Sequence, residues 1–327
     1  MKKHKSITLF SGGLDSLVCV KHMQSKGYET IPIFFETAFF KADTARYFAE
    51  KNNIDLEICD ITNIHMEMTR KPQYGYGKFF NPCIDCHALM FEEAGKRLND
   101  YGADYLISGE VLGQRPMSQR KDSLNSVSNL SGYKDLIIRP LSQKLLKPTK
   151  PIRQKWVDLA DMLDIQGRSR RRQMQLADKF EIKEYPSSAG GCRLTEEVFS
   201  NRLYDLVKHD EYNLRNIEIL NYGRQFRLYS KIKFVLGRDK EENEKLTDWA
   251  ENEIVIKMKE KPGPLGIFIS KETVPLEMIE LGGQILLNFA PKANKNEDLE
   301  FGKKFQLNRT ITTDKINKKQ LKKYWVG

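Results

Sequence analysis

Two groups of residues in this chain could do chemistry. The first is Ser11-Gly12-Gly13-Leu14-Asp15-Ser16. Adjacent glycines let backbone N–H groups turn toward one point and let a ligand approach the main chain closely. A helix starting there adds its positive end, and Ser11 and Ser16 add hydroxyl donors. Together they make a phosphate cradle. It is not a Walker A loop, since no Gly-Lys-Ser/Thr follows, and not the dinucleotide fingerprint, since the third glycine is missing. The plainer alternative is a tight strand-to-helix turn.

The second group is thiols. An odd number of cysteines, five, argues against a structural disulfide framework and for metal or redox use of some of them. Cys83 and Cys86 lie in Asn81-Pro82-Cys83-Ile84-Asp85-Cys86-His87. Asn81 suits an N-cap and Pro82 the first helical position. That puts both thiols on one face near a positive helix end, where thiolates are favoured. Cys192 follows Gly190-Gly191, a pair suited to a loop passing close to a ligand. Three converging thiolates can bind three irons of a [4Fe–4S] cluster and leave the fourth without a protein ligand. A zinc site completed by His87 is a rival, weakened by the awkward adjacency of Cys86 and His87. A third alternative is a catalytic set in which one thiol carries a persulfide and another resolves it. Cys19 and Cys59 sit among apolar residues and read as small buried hydrophobes.

Both groups need a scaffold. Ile7–Phe10, Thr30–Phe35, Leu56–Ile61, Tyr105–Ser108 and Leu136–Ile138 read as strands. Helical patterns such as Ala42–Asn52 and His87–Leu98 lie between them. This alternation predicts an α/β fold with a parallel, doubly wound sheet, and ligands at the carboxyl ends of its strands. The loops after Phe10 and Ser108 are then the natural site builders. The second of these, Ser108-Gly109-Glu110-Val111-Leu112-Gly113-Gln114, is polar and rich in glycine.

The length, 327 residues, suits two or three domains. Charged residues make 30% and the net charge is +10, a balance that favours phosphate-rich partners, RNA above all. No apolar run approaches the ~20 residues that span a bilayer, and the first strand follows the start at once, so a cytoplasmic protein without a membrane partner is expected. From Lys144 to Arg172 the chain is strongly basic. Arg168, Arg170, Arg171 and Arg172 are candidates for phosphate-backbone contact, against the plainer reading of a solvated helix face.

The hexapeptide resembles the pyrophosphate loop of the PP-loop ATPases, Ser-Gly-Gly-x-Asp-Ser. The resemblance implies ATP cleaved between its α and β phosphates, with adenylation of a substrate oxygen. It implies nucleotide contacts at Ser11, Gly12, Gly13, Asp15, Ser16, Phe35, Gly109 and Gln114. A carboxylate beside phosphates also implies Mg²⁺, near Asp15. The loop after Ser108, continuing to Ser118-Gln119, is similar to the Gly-Glu-x-Leu-Gly-Gln-x-x-Ser-Gln signature of tRNA 4-thiouridine synthases. Arg139-Pro140-Leu141 and Gly167–Gln173 resemble further stretches of PP-loop thiolases. Asn-Pro-Cys-x-x-Cys is shared with 2-thiouridine enzymes and their iron–sulfur relatives. These likenesses cover roughly the first three-fifths of the chain. They imply tRNA as partner and Asp15, Cys83, Cys86 and Cys192 as catalytic residues. They also imply the cluster, or less readily zinc, at the three cysteines, and a sulfur donor that is a cysteine desulfurase or inorganic sulfide. The N-terminal RNA-binding region and rhodanese-like carrier of 4-thiouridine synthases are not expected here.

A catalytic domain over 1–194, a helical connector over 195–229 and an α+β domain over 230–327 are expected. In the last, Lys231–Leu236, Glu253–Met258, Ile267–Ser270 and Gln284–Phe289 read as strands and Gly237–Leu246 as a turn into a helix. Its Gly-Arg-x-x-x-x-Asn-x-x-Leu pattern resembles the RNA-associated NFACT-R domain of ribosome-quality-control factors. The tail places Lys315, Lys318, Lys319, Lys322 and Lys323 near Tyr324 and Trp325. That combination suits RNA phosphates and bases, or a helix packing its aromatics on the core.

Overall fold

The computed structural model describes residues 3–187, 192–304 and 306–327. The chain splits into two compact units, one ending at Arg193 and the other beginning at Leu194.

Among the described residues of the first unit the strands are β1 (Lys5–Leu9), β2 (Glu29–Glu36), β3 (Glu57–Asp60), β4 (Tyr105–Ser108) and β5 (Ile137–Ile138). The helices are α1 (Leu14–Ser25), α2 (Asp43–Lys51), α3 (Thr62–Arg70), α4 (Cys83–Lys96), α5 (Lys121–Leu130), α6 (Lys150–Arg153) and α7 (Arg171–Lys179). The sheet order is β3-β2-β1-β4-β5, every neighbour parallel. This is the expected α/β class, and the five expected strands are present with their ends shifted by two residues at most.

Both sheet faces are covered. Ile7, Ile33, Phe35 and Leu106 pack with Ala88, Phe91 and Ala94 of α4 and Val127 of α5. Phe34, Ile107 and Ile138 pack on the other side with Leu17 and Val18 of α1, Ala45 and Ala49 of α2 and Ala177 of α7. Strands buried on both faces read as continuous apolar runs, which is why they were legible. The strand order reverses at β1, since β2 and β3 lie to one side and β4 and β5 to the other. The carboxyl ends of β1 and β4 are therefore the switch point at which sheets of this kind bind ligands.

The second unit contains α8 (Glu197–Lys208), α9 (Leu214–Ile219), β6 (Arg224–Tyr229), β7 (Ile232–Leu236), α10 (Lys240–Trp249), β8 (Ile254–Met258) and β9 (Gly266–Ile269). It continues with α11 (Leu276–Asn288), β10 (Glu297–Lys303), β11 (Gln306–Thr313) and α12 (Lys318–Tyr324). Its sheet is antiparallel, in the order β11-β10-β8-β9-β7-β6.

Two expectations fail here. Strand β6 occupies the end of the stretch read as a helical connector, burying Phe226 and Leu228 against the core as it pairs with β7. Gln284–Phe289, read as a strand, lies in α11 and just beyond its end. Gly282 and Gly283, which look like a break, are where this helix lies flat on the sheet. A Cβ on Gly282 would stand 2.4 Å from the Phe268 ring, and one on Gly283 2.7 Å from Leu299. A short apolar run such as Ile285-Leu286-Leu287 does not by itself separate strand from buried helix. None of the described helices is long and apolar enough to cross a membrane.

Candidate active site

The six-residue loop leaves β1 and becomes α1 with Gly13 in extended backbone as the N-cap. Gly12 has φ +75°, and a Cβ there would stand 2.8 Å from the Ala45 Cα of α2, so both conformation and space demand glycine. Ser16 Oγ donates to the Gly13 carbonyl at 2.8 Å and accepts from the Ser11 N–H at 3.3 Å. Ser11 Oγ lies 3.3 Å from it. The serines thus fix the curl of the loop.

The β4 loop closes over this turn. Gly109 lies so near α1 that a Cβ would stand 2.6 Å from the Asp15 carbonyl oxygen. Gln114 Nε2 donates to Asp15 Oδ2 at 2.5 Å, and Gln173 Nε2 of α7 donates to Gln114 Oε1 at 2.8 Å. Burial raises the Asp15 carboxyl above its usual range, opposed by the Gln114 hydrogen bond, by Arg170 and Arg115 nearby, and by Gln173. Its other oxygen, Oδ1, is buried without a partner. An orphaned carboxylate oxygen at a phosphate cradle fits Mg²⁺, which would supply the missing countercharge.

The thiol side is built on α3 and α4. The helix begins at Cys83 with Pro82 as its cap, one residue later than expected. Asn81 is not the cap. Its Nδ2 instead donates to Cys83 Sγ at 3.2 Å. Cys83, Cys86 and Cys192 are all half-buried. Burial pushes the Cys86 thiol well above its usual range, with Cys192 and Cys83 nearby adding to the effect. The expectation that the helix start favours a thiolate is therefore corrected at Cys86, where desolvation outweighs the helix end.

His65, fully buried on α3, lies with Nε2 3.3 Å from Cys86 Sγ. Burial lowers its pKa to about 4, so it is neutral. Thr69 gives its hydroxyl proton to the His65 carbonyl at 2.7 Å and sits 3.3 Å from His65 Nδ1. With that one proton committed, Nδ1 is the donor to Thr69 and Nε2 is left to accept from the thiol. Nothing local in the sequence marks His65, because it reaches Cys86 from another helix.

A buried ionic network joins the two sides. His87, next after Cys86, contacts Glu110 Oε1 through Nδ1 at 2.8 Å, while Arg139 Nε holds Glu110 Oε2 at 2.7 Å. Burial would raise the Glu110 carboxyl, but Arg139 and His87 hold it down at about 2. His87 is thus engaged with Glu110, which weakens the zinc reading.

Among the described residues, no three His, Cys, Asp or Glu side chains are gathered closely enough to hold a metal ion. The chemistry of the donor set, three thiols within electrostatic reach of one another, nevertheless fits a soft metal or an iron–sulfur cluster. The Gly190-Gly191 pair expected to close over it lies outside the described residues.

The loop, Gly109 and Gln114 therefore converge on Asp15. Phe35, expected as a nucleotide contact, is instead a core residue, 3% exposed beneath α4, with no open face for a base. Of the four arginines, Arg170 lies near Asp15. Arg168 and Arg171 are exposed. Arg172 is turned to Asp164 at 2.6 Å. Arg115, near Asp15, and Arg139, on Glu110, join this region; the sequence marked Arg139 only through its thiolase-like stretch and did not mark Arg115.

Residues 2–144 match the family model of the thiamine biosynthesis protein (ThiI). Residues 223–326 match that of the NFACT protein RNA binding domain. The chain is 28% identical over 134 residues to a tRNA-specific 2-thiouridylase MnmA of Petrotoga mobilis, covering 34% of this chain and 36% of the relative. It is 30% identical over 115 residues to the MnmA of Helicobacter hepaticus, covering 32% and 33%. It thus spans about a third of the length of the curated relatives it matches. A 4-thiouridine synthetase in complex with RNA and ATP is similar at TM-score 0.35 and 18% identity, over 55% of this chain and 52% of that one. The U34-tRNA thiolase NcsA of Methanococcus maripaludis, solved with its [4Fe-4S] cluster, is similar at TM-score 0.29 and 18% identity, over 66% and 70%. Over these stretches the first unit is thus similar to the ThiI family and the second to the NFACT protein RNA binding domain.

Proposed function

We propose that this chain is an ATP-dependent tRNA thiouridine synthase, with residues 1–194 catalytic and 230–327 binding RNA. The observation that carries this is one chain of contacts. The phosphate loop packs against Gly109, the adjacent Glu110 holds His87, and His87 follows Cys86. This chain of contacts supports phosphate binding and sulfur chemistry in one region of the first unit. The matched relatives are named as tRNA thiouridylases, which supports the same substrate class.

A uracil carbonyl oxygen attacks the α-phosphate of ATP, and pyrophosphate leaves into the loop of Ser11 to Ser16. Backbone N–H groups and the α1 N-terminus meet its charge. Asp15, whose Oδ1 is buried without a protein partner, would hold Mg²⁺, which would supply countercharge to the phosphates. Adenylation turns the oxygen into part of a good leaving group. Sulfur delivered at the thiol site adds to the activated carbon, and AMP departs. Asn81 and His65 hold Cys83 and Cys86 in place for this. A [4Fe–4S] cluster on Cys83, Cys86 and Cys192 would supply an iron with no protein ligand, at which sulfide can be carried. The nearness of Cys83 and Cys192 to Cys86 equally supports a second reading, a persulfide on one cysteine resolved by another.

The test is nucleoside mass spectrometry of tRNA from a strain lacking the gene. Loss of one thiouridine, restored by the intact gene, is expected; an unchanged nucleoside profile sinks the proposal. Protein purified without oxygen separates the two sulfur routes, with about four irons per chain for the cluster and none for the persulfide.

A further inference from the structure

The carboxylate at the centre of the phosphate loop is held from a distant part of the chain. Gln114 grips Asp15, and Gln173 grips Gln114 through the oxygen that its own amide leaves open. Gln173 is fully buried, and its Oε1 has no partner. It stands in the first turn of α7, directly after the run Arg170-Arg171-Arg172. The run is brought here by a main-chain tie, since the Gly167 N–H donates to the Leu112 carbonyl at 2.7 Å and Gln166 bridges Leu112. Arg170 on this segment is itself near Asp15.

A buried polar side chain is held by every hydrogen bond it makes, and losing one partner costs the full desolvation of the other. Gln114 cannot swing without stripping either Asp15 or Gln173. Conversely, any shift of the start of α7 moves the group that orients Gln114, and so moves Asp15 Oδ1.

We infer that Gln173 is a positioning residue that couples phosphate groups of RNA seated on the arginines at and just before the start of α7 to Mg·ATP in the Ser11–Ser16 loop, through the chain Gln173–Gln114–Asp15. This rests on the proposed RNA binding by those arginines. RNA seated on Arg168 and Arg171 fixes α7, which fixes Gln114 and aims Asp15 at the metal. Nucleotide then binds tighter when RNA is present, and by reciprocity RNA binds tighter when nucleotide is present. Adenylation would be favoured only when the acceptor is in place, which limits idle cleavage of ATP.

The experiment measures binding of Mg·α,β-methylene-ATP, which the enzyme cannot cleave, to the full chain with and without saturating tRNA. The intact protein should bind the nucleotide at least about fivefold tighter with tRNA, the lower end of ordinary coupling. Gln173→Met keeps the length of the side chain but has no amide. It should keep its affinity for tRNA alone while the effect of tRNA on nucleotide shrinks to under about twofold. A purely structural role for Gln173 would weaken both ligands and leave their ratio alone. Gln173→Asn, whose amide falls short of Gln114, serves as a second variant should the first fail to fold. Undiminished coupling in a folded variant, or tRNA binding without any effect on nucleotide in the intact protein, overturns the inference and leaves the proposed function standing. Absence of tRNA binding altogether overturns both.

Discussion

The two sides of the candidate site are built by different means. On the phosphate side the working atoms are mostly main chain, and the fold itself holds them. Gly12 is pressed against Ala45, Gly109 against Asp15, and Ser16 ties the loop to its own helix. On the thiol side the working atoms are side chains from α3, α4 and the segment of Cys192. Two of the sulfurs are steadied by a polar neighbour, Asn81 for Cys83 and His65 for Cys86. An anion cradle made of backbone is complete as soon as the chain folds. A thiol site becomes complete only when its ligand or sulfur cargo gathers the donors.

This contrast can be broken most directly at Asp15. Asp15→Ala should lower AMP and pyrophosphate formation by at least about 100-fold, as loss of a key charge-stabilising group does. The urea midpoint should fall only slightly, because burial already works against this carboxylate and offsets the loss of the Gln114 hydrogen bond. Adenylation near the wild-type rate would show that Asp15 is not at the phosphates.

The opposite side should fail differently. In Cys86→Ser the thiolated nucleoside should vanish from product tRNA while AMP release continues close to the wild-type rate. Equal loss of both products would mean that the two sides do not act independently.

Glu110, which joins them, sharpens the comparison through pH. Its carboxyl is held at about 2, below its ordinary 4.5. The folded protein thus binds fewer protons than the unfolded chain between those values. The contribution, on the order of 3 kcal/mol, is full above about pH 4.5 and is lost as pH falls through about 2. Urea titrations from pH 5 to 2 should show this component in the wild type and not in Glu110→Gln. Parallel curves would place the stabilisation elsewhere.

The smallest effects belong to α7. Arg171→Ala should weaken tRNA binding and reduce the salt slope by about one unit. Arg172→Ala should do less, since that guanidinium is engaged with Asp164. Equal slopes for both variants would remove the distinction between them.

Much of the fold was legible because doubly buried strands announce themselves. The run Ile31–Phe35, interrupted only by Pro32, needs no partner to be seen. Strand β6 was not legible, because Arg224, Gln225 and Arg227 interrupt its apolar residues and only pairing with β7 makes it a strand. Gln284–Phe289, expected as a strand, proved to lie in α11 and just beyond its end for a similar reason. The glycines of that helix serve a close approach to Phe268 and Leu299, which the local sequence does not contain.

The Ser11–Ser16 loop, the Gly109–Gln114 loop and the three cysteines were legible in the sequence by itself as candidate site residues. These are short, local and written in residue types that few other roles require. Tertiary structure alone decided that Phe35 is core and that Asn81 serves a thiol and not the helix cap. It alone also brought His65 to Cys86 and Gln173 into line with Asp15. The physical reason is the same in each case. A backbone cradle is specified by neighbours in the chain, whereas hydrogen bonds between side chains on different elements exist only once packing has chosen which faces meet.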